Sequence, residues 1–156
     1  MKILLLGIGK TESRTLQDGV ADYSTRVANY HNFETRFLAT LKNAASLSHE
    51  EIKSREAKLI LAEVAEGDHV VLLDEQGVER ASVQFAKFLQ GEMNAGRKRL
   101  VFVIGGAFGS SDELKKRANT TLSLSKMTLT HDMVRLVFVE QLYRAFTILA
   151  GEKYHH

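Results

Sequence analysis

Leu100-Val101-Phe102-Val103-Ile104 runs directly into Gly105-Gly106-Ala107-Phe108-Gly109, and this junction decides the fold class. An unbroken apolar run cannot alternate between core and water, so the segment reads as a strand covered on both faces. The glycines behind it let backbone approach a ligand closely or turn tightly on itself, and both readings stand at this stage. Ser110, with Glu113 three residues on, then caps a short helix. Strand, glycine loop and helix in that order make the βα step of a parallel sheet.

The same alternation extends in both directions. Upstream, Lys2–Ile8 reads as a strand ending in a loop at Gly7 and Gly9. Leu16, Val20, Tyr23, Val27 and Tyr30 recur at spacings of three and four, which predicts an amphipathic helix. Phe33, Thr35 and Phe37 alternate with Glu34 and Arg36 as in a strand, and Asn43–Ser48 reads as a loop. Ser48 and Glu51 form a capping box for a helix carrying Ile52, Leu59, Ile60 and Val64. His69–Leu73 is a second buried strand, ending at Asp74-Glu75-Gln76-Gly77, and a helix follows over Ser82–Met93. Downstream, Leu122–Ser125 is a strand and His131–Ala150 a final helix. The expectation is one α/β domain over residues 1–156 with a largely parallel sheet. Ligands of such sheets sit beyond the carboxyl ends of the strands, here near Asp74, Gly105 and Ser125.

Composition bounds the function. A chain of 156 residues with no proline forms all its turns from Gly, Asn, Asp and Ser chemistry. The absence of cysteine excludes disulfides, thiolate metal sites and thiol nucleophiles, and agrees with a cytoplasmic location. The run Ile3–Ile8 is too short for a secretion signal or a membrane span. A net charge of +2 permits nucleic-acid binding without requiring it.

Several motifs invite a function and fail. Gly9-Lys10-Thr11 after a strand mimics a phosphate-binding P-loop, but the glycine required five residues earlier is Leu4. Gly7-x-Gly9 is no dinucleotide fingerprint, because Glu12 stands where the third glycine belongs. No His, Asp and Glu spacing matches a metal site. Others stay open. His131 and Arg135 share one face at the start of the last helix, and Glu140 and Arg144 form a second pair on the opposite side. Either pair serves local structure or chemistry. The tail Gly151-Glu152-Lys153-Tyr154-His155-His156 mixes cations with an aromatic ring, as RNA recognition requires, or is a frayed end. Arg97-Lys98-Arg99 and Lys115-Lys116-Arg117 extend a phosphate footprint or form solvated faces. The last helix is apolar nearly all round and needs cover on several sides, from its own domain or from a second subunit.

Taken in order, these segments resemble the RlmH family, SPOUT-class methyltransferases acting on large-subunit (23S) ribosomal RNA. The resemblance runs from Lys2–Lys10 through Phe102–Gly106 and is densest over Leu124–Leu129, His131–Arg135 and Glu140–Phe146, closing with Tyr154-His155. It implies a SPOUT-type parallel sheet with a C-terminal trefoil knot, an exception to unknotted topology, and a homodimer. It implies S-adenosyl-L-methionine as cofactor, bound at Leu73, Gly105, Leu124, Ser125, Lys126, Met127, Thr128 and Leu129. It further implies methylation of N3 of a pseudouridine, with the ribosome as partner and neither metal nor membrane. Thr130 stands where the family commonly has proline. For the reacting base we expect Arg144, Tyr154 and His155, with His131 or His155 as proton acceptor. The tail of one subunit would approach the cofactor pocket of the other. The reading of a different class is a non-catalytic ribosome- or RNA-binding protein with a degenerate pocket.

Overall fold

The computed structural model describes residues 1–155; His156, the last residue of the tail motif, lies outside them. The elements are β1 (Lys2–Ile8), α1 (Arg14–Ala28), β2 (Phe33–Leu38), α2 (His49–Ala62), β3 (His69–Glu79), α3 (Ser82–Asn94), β4 (Arg99–Ile104), α4 (Asp112–Arg117), β5 (Thr120–Ser123) and α5 (His131–Leu149). A short 3-10 turn at Ala44–Ser46 interrupts the expected Asn43–Ser48 loop. The strands form one sheet in the order β2-β1-β4-β3-β5, and each neighbouring pair is parallel.

Side chains leave a strand alternately to its two faces, and the apolar residues divide accordingly. Ile3, Leu5, Val71, Leu100, Phe102 and Ile104 point to the face covered by α1, α3 and α5. Leu4, Leu6, Val70, Leu72, Val101 and Val103 point to the face where Ala57 and Ile60 of α2 and Leu114 of α4 pack. The central strands need apolar residues at every position because both faces are covered. β2 lies at the edge and is charged there, with Arg36 bridging Glu34 and Glu63, which discourages pairing with another sheet.

α5 anchors the first face. Phe138 packs at a tilt of 49° against Phe102 with ring centroids 4.7 Å apart, and Phe85 of α3 closes the aromatic cluster. Truncating Phe138 would cost about 3–5 kcal/mol. α1 and α3 flank the helix, so most of its apolar circumference is covered within the chain. Met133 is exposed and Leu136 and Val137 are half-buried, and together they leave an apolar strip open.

Candidate active site

The carboxyl ends of β3, β4 and β5 meet at one place. β3 continues past Leu73, where the sequence predicted its end, but with a shift of register: Leu122 pairs with Leu73 and again with Val78. The residues between loop outward. Asp74 Oδ1 accepts from the Gln76 amide at 2.8 Å, closing an Asx turn. A Cβ on Gly77 would lie 2.8 Å from the Leu122 carbonyl carbon, so only glycine lets the two backbones pass. Lys126 Nζ donates to the carbonyls of Glu75 and Gly77 at 2.9 and 3.2 Å, and Thr128 Oγ1 donates to Glu75 Oε2 at 3.1 Å. The segment after β5 is thereby tied to the loop after Leu73.

The glycine-rich loop after β4 folds on itself. Gly109 has φ +88°, and its amide donates to the Gly106 carbonyl at 3.0 Å. A Cβ on Gly105 would lie 2.5 Å from Ser110 Oγ. Glycine at this position therefore serves the turn itself as well as any ligand. Phe108 stacks on His49 with centroids 3.8 Å apart, joining the loop to the start of α2.

These loops enclose a cavity of about 450 Å³, within the range of small-ligand sites. Leu73, Gly105, Leu124, Ser125, Met127, Thr128 and Leu129 line it, as does His131. Lys126 does not: its ammonium is turned away onto the backbone of the Asp74–Gly77 loop. Asp74 and Glu75 line one wall, and Lys53 and Lys115 bring positive charge from α2 and α4. Pattern reasoning found the strand ends but missed Lys53, because nothing in a helical sequence says which turn faces a distant loop.

At the start of α5, Thr130 caps the helix by accepting from the Met133 amide at 3.3 Å. The position at which the family commonly has proline is therefore a working N-cap. Asp132 accepts the amides of Glu12 and Ser13 at 2.9 and 3.2 Å. Arg135 is 1% exposed and donates to the carbonyls of Ile8 and Gly9 at 2.7 and 2.9 Å and to Thr11 Oγ1 at 3.0 Å. Its guanidinium lies 4.2 Å from the centroid of the Phe37 ring. Arg135 is thus a buried clasp on the end of β1, not a group free for substrate. Burial, with Arg135 nearby, holds the His131 pKa below the ordinary histidine value. At neutral pH its ring is uncharged and able to accept a proton.

The other predicted residues lie elsewhere. Arg144 donates to Glu140 Oε1 from Nε at 3.1 Å and from Nη2 at 2.6 Å, and it lies 4.7 Å from the Tyr154 ring centroid. The Tyr154 hydroxyl is 3.0 Å from Glu140 Oε1 and 3.1 Å from the Tyr23 hydroxyl. Burial, Tyr23 and Glu140 all push its pKa up. The tail is therefore docked on α5 and α1 as far as Tyr154, while His155 is exposed. None of Arg144, Tyr154 and His155 lines the cavity of their own chain. Of the basic runs, Arg97 pairs with Glu92, Arg99 with Asp68, and Arg117 donates to the carbonyls of Ala65 and Asp68. Those arginines are largely occupied in structure.

Comparison with known proteins defines the class. Residues 1–155 match the family model described as predicted SPOUT methyltransferase. The chain belongs to the SPOUT methyltransferase family. A protein of Christiangramia forsetii named ribosomal RNA large subunit methyltransferase H is 50% identical over 100% of this chain and 99% of its own length. A protein of the same name from Flavobacterium psychrophilum is 47% identical over the same shares. A solved structure of the SpoU methyltransferase AviRb from Streptomyces viridochromogenes, in complex with AdoMet, aligns over 97% of this chain at 12% identity with a TM-score of 0.47. This chain spans 59% of that protein.

Proposed function

We propose that this chain transfers the methyl group of S-adenosylmethionine to N3 of a pseudouridine in large-subunit ribosomal RNA, acting on the ribosome as a homodimer. The observation that carries this reading is the cavity at the carboxyl ends of β3, β4 and β5, in a chain of this family. Its residues fit the cofactor. Leu73, Leu124 and Leu129 supply apolar wall, the glycine loop supplies backbone groups, and Asp74 and Glu75 set negative charge beside a cationic ligand. S-adenosylmethionine supplies a methyl group already activated on a sulfonium sulfur. The protein's work is to exclude water, hold N3 in line and accept its proton. Positioning contributes about 7–11 kcal/mol in favourable cases, and a general base about 10²–10⁴-fold. His131, uncharged and on the cavity wall, is placed for proton acceptance.

Distance supports the dimer, if Arg144 and His131 both act on the reacting base. Arg144 stands on the same helix as His131, and at a rise of about 1.5 Å per residue the two are about 20 Å apart along it. One chain cannot bring both to one base. A second copy packed against the apolar strip of Met133, Leu136 and Val137 can present its own Arg144, Tyr154 and His155 to the cavity.

The trefoil knot belongs to the same proposal. Support comes from the path after β5, which starts at the sheet edge, is tied by Lys126 to the Asp74–Gly77 loop, and ends in α5 against α1 and α3. No helix among the described residues is long and apolar enough to cross a membrane. A ribosomal substrate supports a cytoplasmic location.

The deciding experiment offers radiolabelled S-adenosylmethionine and ribosomes from a strain lacking this gene. Label should enter large-subunit RNA at one pseudouridine. Ribosome binding with neither cofactor binding nor labelling would return the chain to the class of non-catalytic ribosome-binding proteins.

A further inference from the structure

A second cavity, of about 370 Å³, lies between α1 and the edge strand β2. Lys10, Thr11, Gln17, Ser24, Thr35 and Phe37 line it, and it shares no residue with the cofactor cavity. Its chemistry is a cation at the rim, a set of neutral hydrogen-bonding groups and an aromatic ring. Lys10 is exposed and enters no ion pair among the described residues.

Ser24 carries the more telling feature. Its hydroxyl oxygen is buried and has no hydrogen-bond partner among the described residues. A helical serine or threonine ordinarily turns its hydroxyl back to the carbonyl four residues earlier. Thr25, next in the chain, does so, donating to the Ala21 carbonyl at 3.0 Å. Ser24 does not, and a buried polar atom left unpaired is unfavourable unless something completes it.

The two cavities are neighbours across the first turns of α5. His131 lines the first, while Arg135 donates to Thr11 Oγ1, on the wall of the second, at 3.0 Å. The Arg135 guanidinium over Phe37 fixes the ring from the protein side. An RNA strand that brings one base to the cofactor cavity can continue past this edge of the molecule, because the two cavities are adjacent.

We propose that the second cavity binds a nucleotide flanking the methylated one. Its base lies against Phe37 with its polar edge toward Ser24 and Thr35, and its phosphate pairs with Lys10. Unpaired RNA is recognised in this way, by a ring face, hydrogen bonds to base edges and a cation on the backbone. The proposal rests on reading the chain as an enzyme acting on RNA.

The test uses the full chain, isotopically labelled, titrated with a short single-stranded oligouridine and followed by nuclear magnetic resonance. The amides of Lys10, Thr11, Ser24 and Thr35 should shift. Ser24→Leu, which fills the cavity, should weaken binding about tenfold or more. Lys10→Ala should lower the slope of log affinity against log salt by about 0.7. Calorimetric affinity for S-adenosylmethionine should stay at wild type in both. If Ser24→Leu does not fold, Gln17→Leu on the exposed part of the same wall takes its place. Shifts confined to the cofactor cavity or the tail would overturn the site and leave the RNA reading standing. Absence of any oligouridine binding would overturn the site, while the methyl-transfer reading stands or falls separately on the labelling of ribosomes. Binding here by a protein that fails to methylate ribosomes would support the site and remove the methyl-transfer reading instead.

Discussion

Glu56 of α2 fills the space in front of Gly106: a Cβ added to that glycine would overlap Glu56 Oε2 and lie 2.6 Å from its Cδ. Glu56 is 8% exposed, its Oε2 has no partner among the described residues, and burial pushes its carboxyl pKa up. The buried side chain thus braces the glycine loop. Gly106→Ala should destabilise the protein by about 1–3 kcal/mol through overpacking and weaken cofactor binding. Adding Glu56→Ala should recover part of both. Denaturant melts and calorimetry on the four members of the double-mutant cycle check this, and strict additivity would show that the two residues do not interact.

Arg135 joins α5 to the end of β1 with three hydrogen bonds from a guanidinium 1% exposed. Arg135→Ala leaves the carbonyls of Ile8 and Gly9 buried without a donor and should cost about 3 kcal/mol or more. Arg135→Lys should recover little, since an ammonium cannot bond the forked set of acceptors or stack on Phe37. Urea unfolding measures both, and a loss below 1 kcal/mol for the alanine variant would be incompatible with the clasp.

Burial lowers the pKa of His31, His69 and His131. The unfolded chain therefore binds more protons than the folded one below the ordinary histidine value, about 6.5. The stability these groups contribute is whole above that pH and is lost as pH falls through the lowered folded values. The melting temperature should drop between about pH 7 and about pH 5, and His131→Gln should flatten part of the drop. If His131 accepts the N3 proton, the acid limb of kcat should also fall below about pH 6.5, and the limb should vanish in the variant.

A composite site predicts complementation. Gly105→Val should damage the cofactor cavity, and Arg144→Ala should cut methyl transfer by about 10²-fold or more while leaving cofactor affinity near wild type. Each variant alone should retain little activity. Mixed in equal amounts and allowed to exchange subunits, half of the dimers pair one of each, with one intact site, so about a quarter of wild-type activity should return. Light scattering should give twice the chain mass for every species. A mixture as inactive as its components would show that each chain builds its site alone.

Deleting the tail from Tyr154 onward removes the ring that packs on Tyr143 at 4.8 Å and bridges Glu140 and Tyr23. Methyl transfer should fall as it does in Arg144→Ala, with calorimetric cofactor affinity unchanged. Full turnover in the truncated protein would assign the chemistry to His131 and its neighbours.

Much of the fold was legible in residue order. The apolar runs at Lys2–Ile8, His69–Leu73 and Leu100–Ile104 announced covered strands, and the capping box at Ser48 and Glu51 is formed as written. Those features are local: a strand or a helix start is specified by residues adjacent in the chain, so spacing alone reveals them. The strand ends also marked where the cavity lies, because every strand of a parallel sheet ends on the same side.

What the tertiary structure decided is which of those ends become neighbours. The sheet order β2-β1-β4-β3-β5 sets Leu73 between Ile104 and Leu122, and no periodicity encodes that order. It turns Lys126 away from the cavity onto the Asp74–Gly77 loop, presses Glu56 against Gly106, and buries Arg135, which residue type alone marks as a surface cation. A sequence states what each side chain can do. Whether a charge is free, clasped or half of a shared site depends on contacts between segments far apart in the chain, and packing alone settles those.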